Sequence, residues 1–83
     1  MLISKRGSIL EVDIHGMLVQ DAQRQLEFLL TKADRSVREM VVIHGYSHGH
    51  ALRDMVRFQL KHPRIETKLI SLNQGQTRIL LRS

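Results

Sequence analysis

The chain contains no cysteine and no tryptophan, only one proline, and few aromatic side chains: Phe28, Tyr46 and Phe58. Without cysteine there is no disulfide framework, no thiolate nucleophile and no cysteine-ligated zinc or iron–sulfur site, so packing alone must hold the fold together. No stretch approaches the roughly 20 apolar residues of a membrane helix, and the opening residues lack the apolar run of about 7 to 15 that a signal peptide needs. The expectation is therefore a cytoplasmic protein without a membrane. A hydrophobic fraction of 42% beside 25% charged residues is that of a folding chain and not of a disordered one. At 83 residues it has room for one core, which reads as a single domain over residues 1–83, with residues 1–8 an N-terminal extension and residues 9–81 the core.

Positive charge is in excess. Thirteen Lys and Arg stand against eight Asp and Glu, a net +5, and most of the cations are arginines, whose planar fork matches phosphate. Residues 1–42 are balanced. The whole excess falls in residues 43–83, where Arg53, Arg57, Lys61, Arg64, Lys68, Arg78 and Arg82 meet only Asp54 and Glu66. Charge segregated in this way points to a polyanionic partner.

Residues 9–15 alternate, with Leu10, Val12 and Ile14 on one side and Glu11, Asp13 and His15 on the other, the pattern of a strand with one covered face. Gly16 breaks it, and residues 19–33 then place Ala22, Leu26, Leu29, Leu30 and Ala33 at helical spacing. Leu18 stands where a capping Ser, Thr or Asp would be expected, so the helix entry is poorly capped. Residues 40–44 form a short apolar run ending at His44 and Gly45, an interior strand. A glycine-containing loop leads to a second helix over residues 51–61, with Leu52, Met55, Val56 and Leu60 as its apolar arc and Pro63 as its stop. Residues 65–72 and 77–81 alternate about a turn containing Gly75 and predict a closing hairpin. The order is βαβαββ: an α/β fold with a four-stranded mixed sheet and two helices.

Strands joined through one helix pair in parallel, so if the first two predicted strands are neighbours, His15 and His44 meet at their carboxyl ends, where open α/β sheets bind ligands. Asp13 and His15 share a strand face, and a carboxylate beside an imidazole fixes its tautomer, which makes His15 a candidate general acid or base. The same pair also fits a sheet face that simply carries polar residues, or an aspartate capping a nearby amide. The loop Gly45, Tyr46, Ser47, His48, Gly49 offers free amides to phosphate oxygens, with Tyr46 as its stacking candidate; it also fits a turn that merely needs positive φ. Phe28 and Phe58 read as packing residues. Arg53, Arg57 and Lys61, four apart, form a stripe suited to a nucleic-acid backbone, or else a solvated face. The histidines at 15, 44, 48 and 50 lack the firm donor set of a zinc site, and no dedicated metal site is assigned.

Val12, Asp13, Ile14, His15 and Gly16, followed at a distance by His44, Gly45 and Gly49 at a strand-to-helix loop, resemble the paired hallmarks of the Smr (small MutS-related) domain, over roughly residues 9–81. Ser47 stands where that family has its middle loop glycine, and Leu18 where it has a capping threonine. The resemblance implies a two-layer α/β sandwich like the C-terminal domain of translation initiation factor 3. It also implies nucleic-acid binding with endonuclease activity, DNA nicking in some members and RNA cleavage, including on stalled ribosomes, in others. Under it Asp13 and His15 are the expected catalytic pair and His44, Gly45 and Gly49 the substrate loop; the strand-end convergence adds His44 to the expected catalytic residues, and the loop and stripe readings add Tyr46, Ser47, His48, Arg53, Arg57 and Lys61 to the expected substrate contacts. RNA cleavage needs no cofactor; DNA cleavage calls for Mg or Mn to activate water. The alternative is a non-catalytic module that binds nucleic acid or the ribosome.

Overall fold

The computed structural model describes residues 1–45 and 49–82. Its order is β1 (Leu2–Arg6), β2 (Ile9–Asp13), α1 (Val19–Lys32), β3 (Glu39–Ile43), α2 (Ala51–Asp54) passing directly into a π-helical turn (Met55–Gln59), β4 (Ile65–Ile70) and β5 (Gln76–Leu81). The strands form one sheet in the order β1-β2-β3-β5-β4. Strands β2 and β3 are parallel neighbours with Asp13 opposite Ile43, as their connection through α1 requires; the other pairs are antiparallel.

The sheet has five strands and not four. Residues 1–8 were read as an extension, yet Leu2–Arg6 folds back on β2 through Gly7 and Ser8. Gly7 has φ 59 and sits at the first position of a two-residue hairpin loop, where glycine favours the turns that match strand twist. All five residues of β1 are exposed, so burial leaves no alternation to read.

One sheet face is covered. Leu10, Val12 and Ile14, then Met40 and Val42, then Ile79 and Leu81 point into a core closed by Ala22, Leu26 and Leu30 of α1 and by Met55, Val56 and Leu60. Leu18 precedes α1 in an extended conformation and makes no side-chain cap, as its apolar character dictates.

The second helix is shorter than its sequence pattern predicts. It ends at Gln59, Leu60 is extended, and Lys61 lies beyond it. The Leu60 amide donates to the Met55 carbonyl at 2.7 Å, five residues back. This five-residue return is a π-helical turn. Met55, Val56 and Leu60 are buried, and Phe58 is exposed. Neither Phe58 nor Phe28 packs in the core: both are exposed, and Phe28 lies under the Lys32 ammonium at 5.9 Å.

Arg64 clamps the far end of the domain. Its guanidinium donates to the carbonyls of Ala33, Asp34, Val37 and Arg82, binding the α1–β3 connection to the end of β5.

Candidate nucleic-acid site

Because β2 and β3 are parallel and in register, the segments leaving them emerge side by side. The Ile14 amide donates to the Ile43 carbonyl at 2.9 Å, which extends the pairing one residue past β2. His15 and His44 follow their strands at this rim and line one cavity of about 610 Å³, with Gly16, Gly45, Gly49 and Leu52. Gly45 and Gly49, both lining this cavity, have φ of 76 and 93, a conformation that side-chain-bearing residues rarely adopt. Tyr46, Ser47 and His48, expected substrate contacts, lie outside the described residues.

The two imidazoles share the cavity but not the same environment. His15 is 69% exposed, and its Nδ1–H donates to Asp13 Oδ1 at 2.6 Å. The same oxygen accepts the His15 amide at 3.0 Å, so one carboxylate fixes both the ring and the backbone that carries it. Partial burial would raise the Asp13 carboxyl, but the hydrogen bonds from the His15 ring and amide outweigh it and hold the group below its ordinary 3.8. With Nδ1 engaged, Nε2 is the nitrogen left without a partner among the described residues.

His44 is 4% exposed and continues the buried parity of Met40 and Val42. Gly45 O can only accept, so His44 Nδ1 carries the proton and donates to it at 2.9 Å. Nε2 is then the acceptor, and Thr77 Oγ1 donates to it at 2.9 Å. Arg57 Nε in turn donates to Thr77 Oγ1 at 2.9 Å, and its Nη2 to Gln76 O at 3.3 Å. A relay runs from Arg57 through Thr77 and His44 to the first residue of the glycine loop, and both nitrogens of the ring are occupied. Burial depresses the His44 pKa below its ordinary 6.5, and the charges of Arg57 and Arg53 add to that against the opposing bond to Gly45.

The expected basic stripe is broken up. Arg53 pairs with Asp54 at 3.1 Å, Arg57 is turned onto β5, and Lys61 stands past the helix end. Much of the charge in the second half has internal partners. Arg64 clamps four carbonyls, Lys68 Nζ caps Arg57 O and Leu60 O, and Arg78 holds Glu39 through two bonds on the open face of the sheet. Sequence reasoning missed Thr77 altogether. Its signal was its place at the start of a strand on the apolar side, in step with Ile79 and Leu81. Among the described residues no three His, Cys, Asp or Glu side chains gather as a metal site, and no helix is long and apolar enough to cross a membrane.

A search of curated proteins finds no match. Among solved structures, the crystal structure of the Smr domain of Thermus thermophilus MutS2 is similar over 88% of this chain and 98% of that one, at 26% sequence identity and a TM-score of 0.77. The family model for the Smr domain matches residues 12–78, a span that takes in Asp13, His15, His44, the glycine loop and Thr77. On that match, with the two motifs assembled at one rim, the chain belongs to the Smr domain family.

Proposed function

We propose that this protein binds nucleic acid at the rim formed by His15, Gly45 and Gly49 and cleaves a phosphodiester bond there, with His15 as the proton-transfer group. The observation that carries the reading is the double hold of Asp13 on His15, which leaves one imidazole nitrogen of defined tautomer facing an open cavity. Asp13, kept ionised, stabilises the imidazolium that forms when Nε2 takes a proton.

On RNA, Nε2 takes the 2′-hydroxyl proton, the 2′-oxygen attacks phosphorus, and the bond to the 5′-oxygen breaks as that oxygen takes a proton from water, the imidazolium later returning its proton to solvent. The products are a 2′,3′-cyclic phosphate and a 5′-hydroxyl. DNA has no 2′-hydroxyl, so the attacking oxygen would come from water and would call for a divalent ion. RNA is therefore the substrate that these residues serve with the least added. In this division of labour His44 is a positioning residue. Its ring, occupied on both sides, anchors Gly45 while His15 handles protons.

Purified wild-type protein and His15→Ala are compared on matched single-stranded RNA and DNA, with and without chelator. Loss of a positioned acid–base group lowers the cleavage rate by about 10²- to 10⁴-fold while affinity holds. Equal cleavage by the two proteins refutes the catalytic reading. The alternative, a binding module without turnover, is favoured by the burial of His44, which leaves His15 as the one imidazole at the site with an open nitrogen among the described residues. It predicts salt-steep binding with no cleavage by either protein.

A further inference from the structure

The exposed aromatic on the π-helical turn shares a hollow with Ile70 and Thr77, which pair where β4 ends and β5 begins. Phe58 is 71% exposed, although an apolar ring of this size favours burial. Beside it Ile70, at the end of β4, is 77% exposed. Two adjoining hollows of about 280 and 200 Å³ open against Phe58, and the charged side chains lining them are Arg57, Lys61 and Lys68. No carboxylate lines either hollow among the described residues. Two of these cations are held in place. Arg57 is fixed by Thr77 and Gln76, and Lys68 by the carbonyls of Arg57 and Leu60, whereas Lys61 extends from the loop.

The position relative to the site follows from the register. Asp13 on β2 is level with Ile43 on β3 and Gln76 on β5, and Ile70 pairs with Thr77, whose hydroxyl touches His44. From β2 to β4 is three strand spacings, about 14 Å. A flat apolar ring flanked by cations suits a partner with flat apolar faces and a regular negative backbone. A second copy of this chain fits poorly, because a two-fold contact here would set the same cations against each other.

We propose that Phe58 is a stacking platform for a base of single-stranded nucleic acid flanking the segment held at His15, with Lys61 directed at the adjoining phosphates. The proposal rests on the nucleic-acid reading of the site and adds to it a subsite beyond the reach of a dinucleotide seated at His15.

The chain has no tryptophan, so Phe58→Trp supplies a single fluorescent reporter at the platform. Titration of that variant with oligouridylate of about ten nucleotides should quench its emission saturably. Phe58→Ala should bind the same oligonucleotide roughly 5- to 100-fold more weakly, while its kinetics on a dinucleotide match the wild type. Unchanged urea midpoints confirm that both variants fold. If oligouridylate binds the wild type and Phe58→Ala equally and leaves the indole emission of Phe58→Trp unquenched, the platform is refuted and the cleavage site stands. If the wild type binds no oligonucleotide, the reading of the site falls and the platform with it. Quenching by polyglutamate but not by oligouridylate would mark the patch as a dock for acidic protein and overturn the proposal.

Discussion

Thr77→Val tests the relay behind the glycine loop. The two side chains have nearly the same volume, so the core beneath β5 stays filled and only the hydroxyl is lost. In the native protein that hydroxyl donates to His44 Nε2 and accepts from Arg57 Nε, each at 2.9 Å. Without it the imidazole keeps its bond to Gly45 O, but its acceptor nitrogen is stranded in a residue 4% exposed. An unsatisfied buried acceptor costs about 1 to 3 kcal/mol. Arg57 retains Gln76 O and a path to water, so its share is small. A net loss of about 2 kcal/mol lowers Tm by roughly 8 to 16 °C in a domain of this size. Urea unfolding followed by circular dichroism should show a lower midpoint at constant slope. Nitrogen-15 spectra of the ring should show His44 protonated at Nδ1 in the wild type and a changed Nε2 resonance in Thr77→Val. Thr77→Ser, which keeps the donor, should recover most of the stability and the native spectrum. If Val and Ser behave alike, or if Val costs less than about 0.5 kcal/mol, the hydroxyl does not hold the ring and the relay is wrong.

Acid should reveal the buried ring. The folded-state pKa of His44 lies below its ordinary 6.5, so between the two values the unfolded chain binds a proton that the folded one does not. Stability fully present above pH 6.5 is lost as pH falls beneath it, until folded His44 also protonates. Urea midpoints across this range should slope downward in the wild type and flatten in His44→Gln, whereas Asp13 and Glu39, whose carboxyls are depressed, contribute losses only from near 4 downward. Arg64→Ala should cost about 2 to 3 kcal/mol by releasing four carbonyls, and Arg64→Lys should recover little because an ammonium cannot span them. Oligonucleotide affinity measured on the folded fraction should be unchanged in both Arg64 variants, since this cation serves the fold.

The alternation of Leu10, Val12 and Ile14, the short run ending at His44 and the closing hairpin made the α/β order readable, because one covered sheet face imposes period two. Convergence at the rim was readable for the same reason: two parallel neighbours must end side by side. What escaped reading had weak or mixed signals. Strand β1 is wet on both faces, and only its Gly-Ser turn announced it. The π-helical turn left no mark in the sequence, because Leu52, Met55, Val56 and Leu60 recur at ordinary α-helical spacing. His44 was grouped with His15 by position along the chain, although its parity with Met40 and Val42 marked it for the interior. The basic stripe was read from a helical wheel, which does not show that Arg57 would turn onto β5 or that the helix would end before Lys61.

β5 follows β4 along the chain but lies between β3 and β4 in the sheet, and among the described residues β4 has no other neighbour. Until β5 docks, β3 and β4 each carry an unpaired edge, a stage at which Ile65, Leu69 and Ile70 are open to wrong pairing. The partner of His44 is delivered by that same late arrival. Completion of the sheet and of the His44 relay are thus a single event, and a chain lacking β5 lacks both.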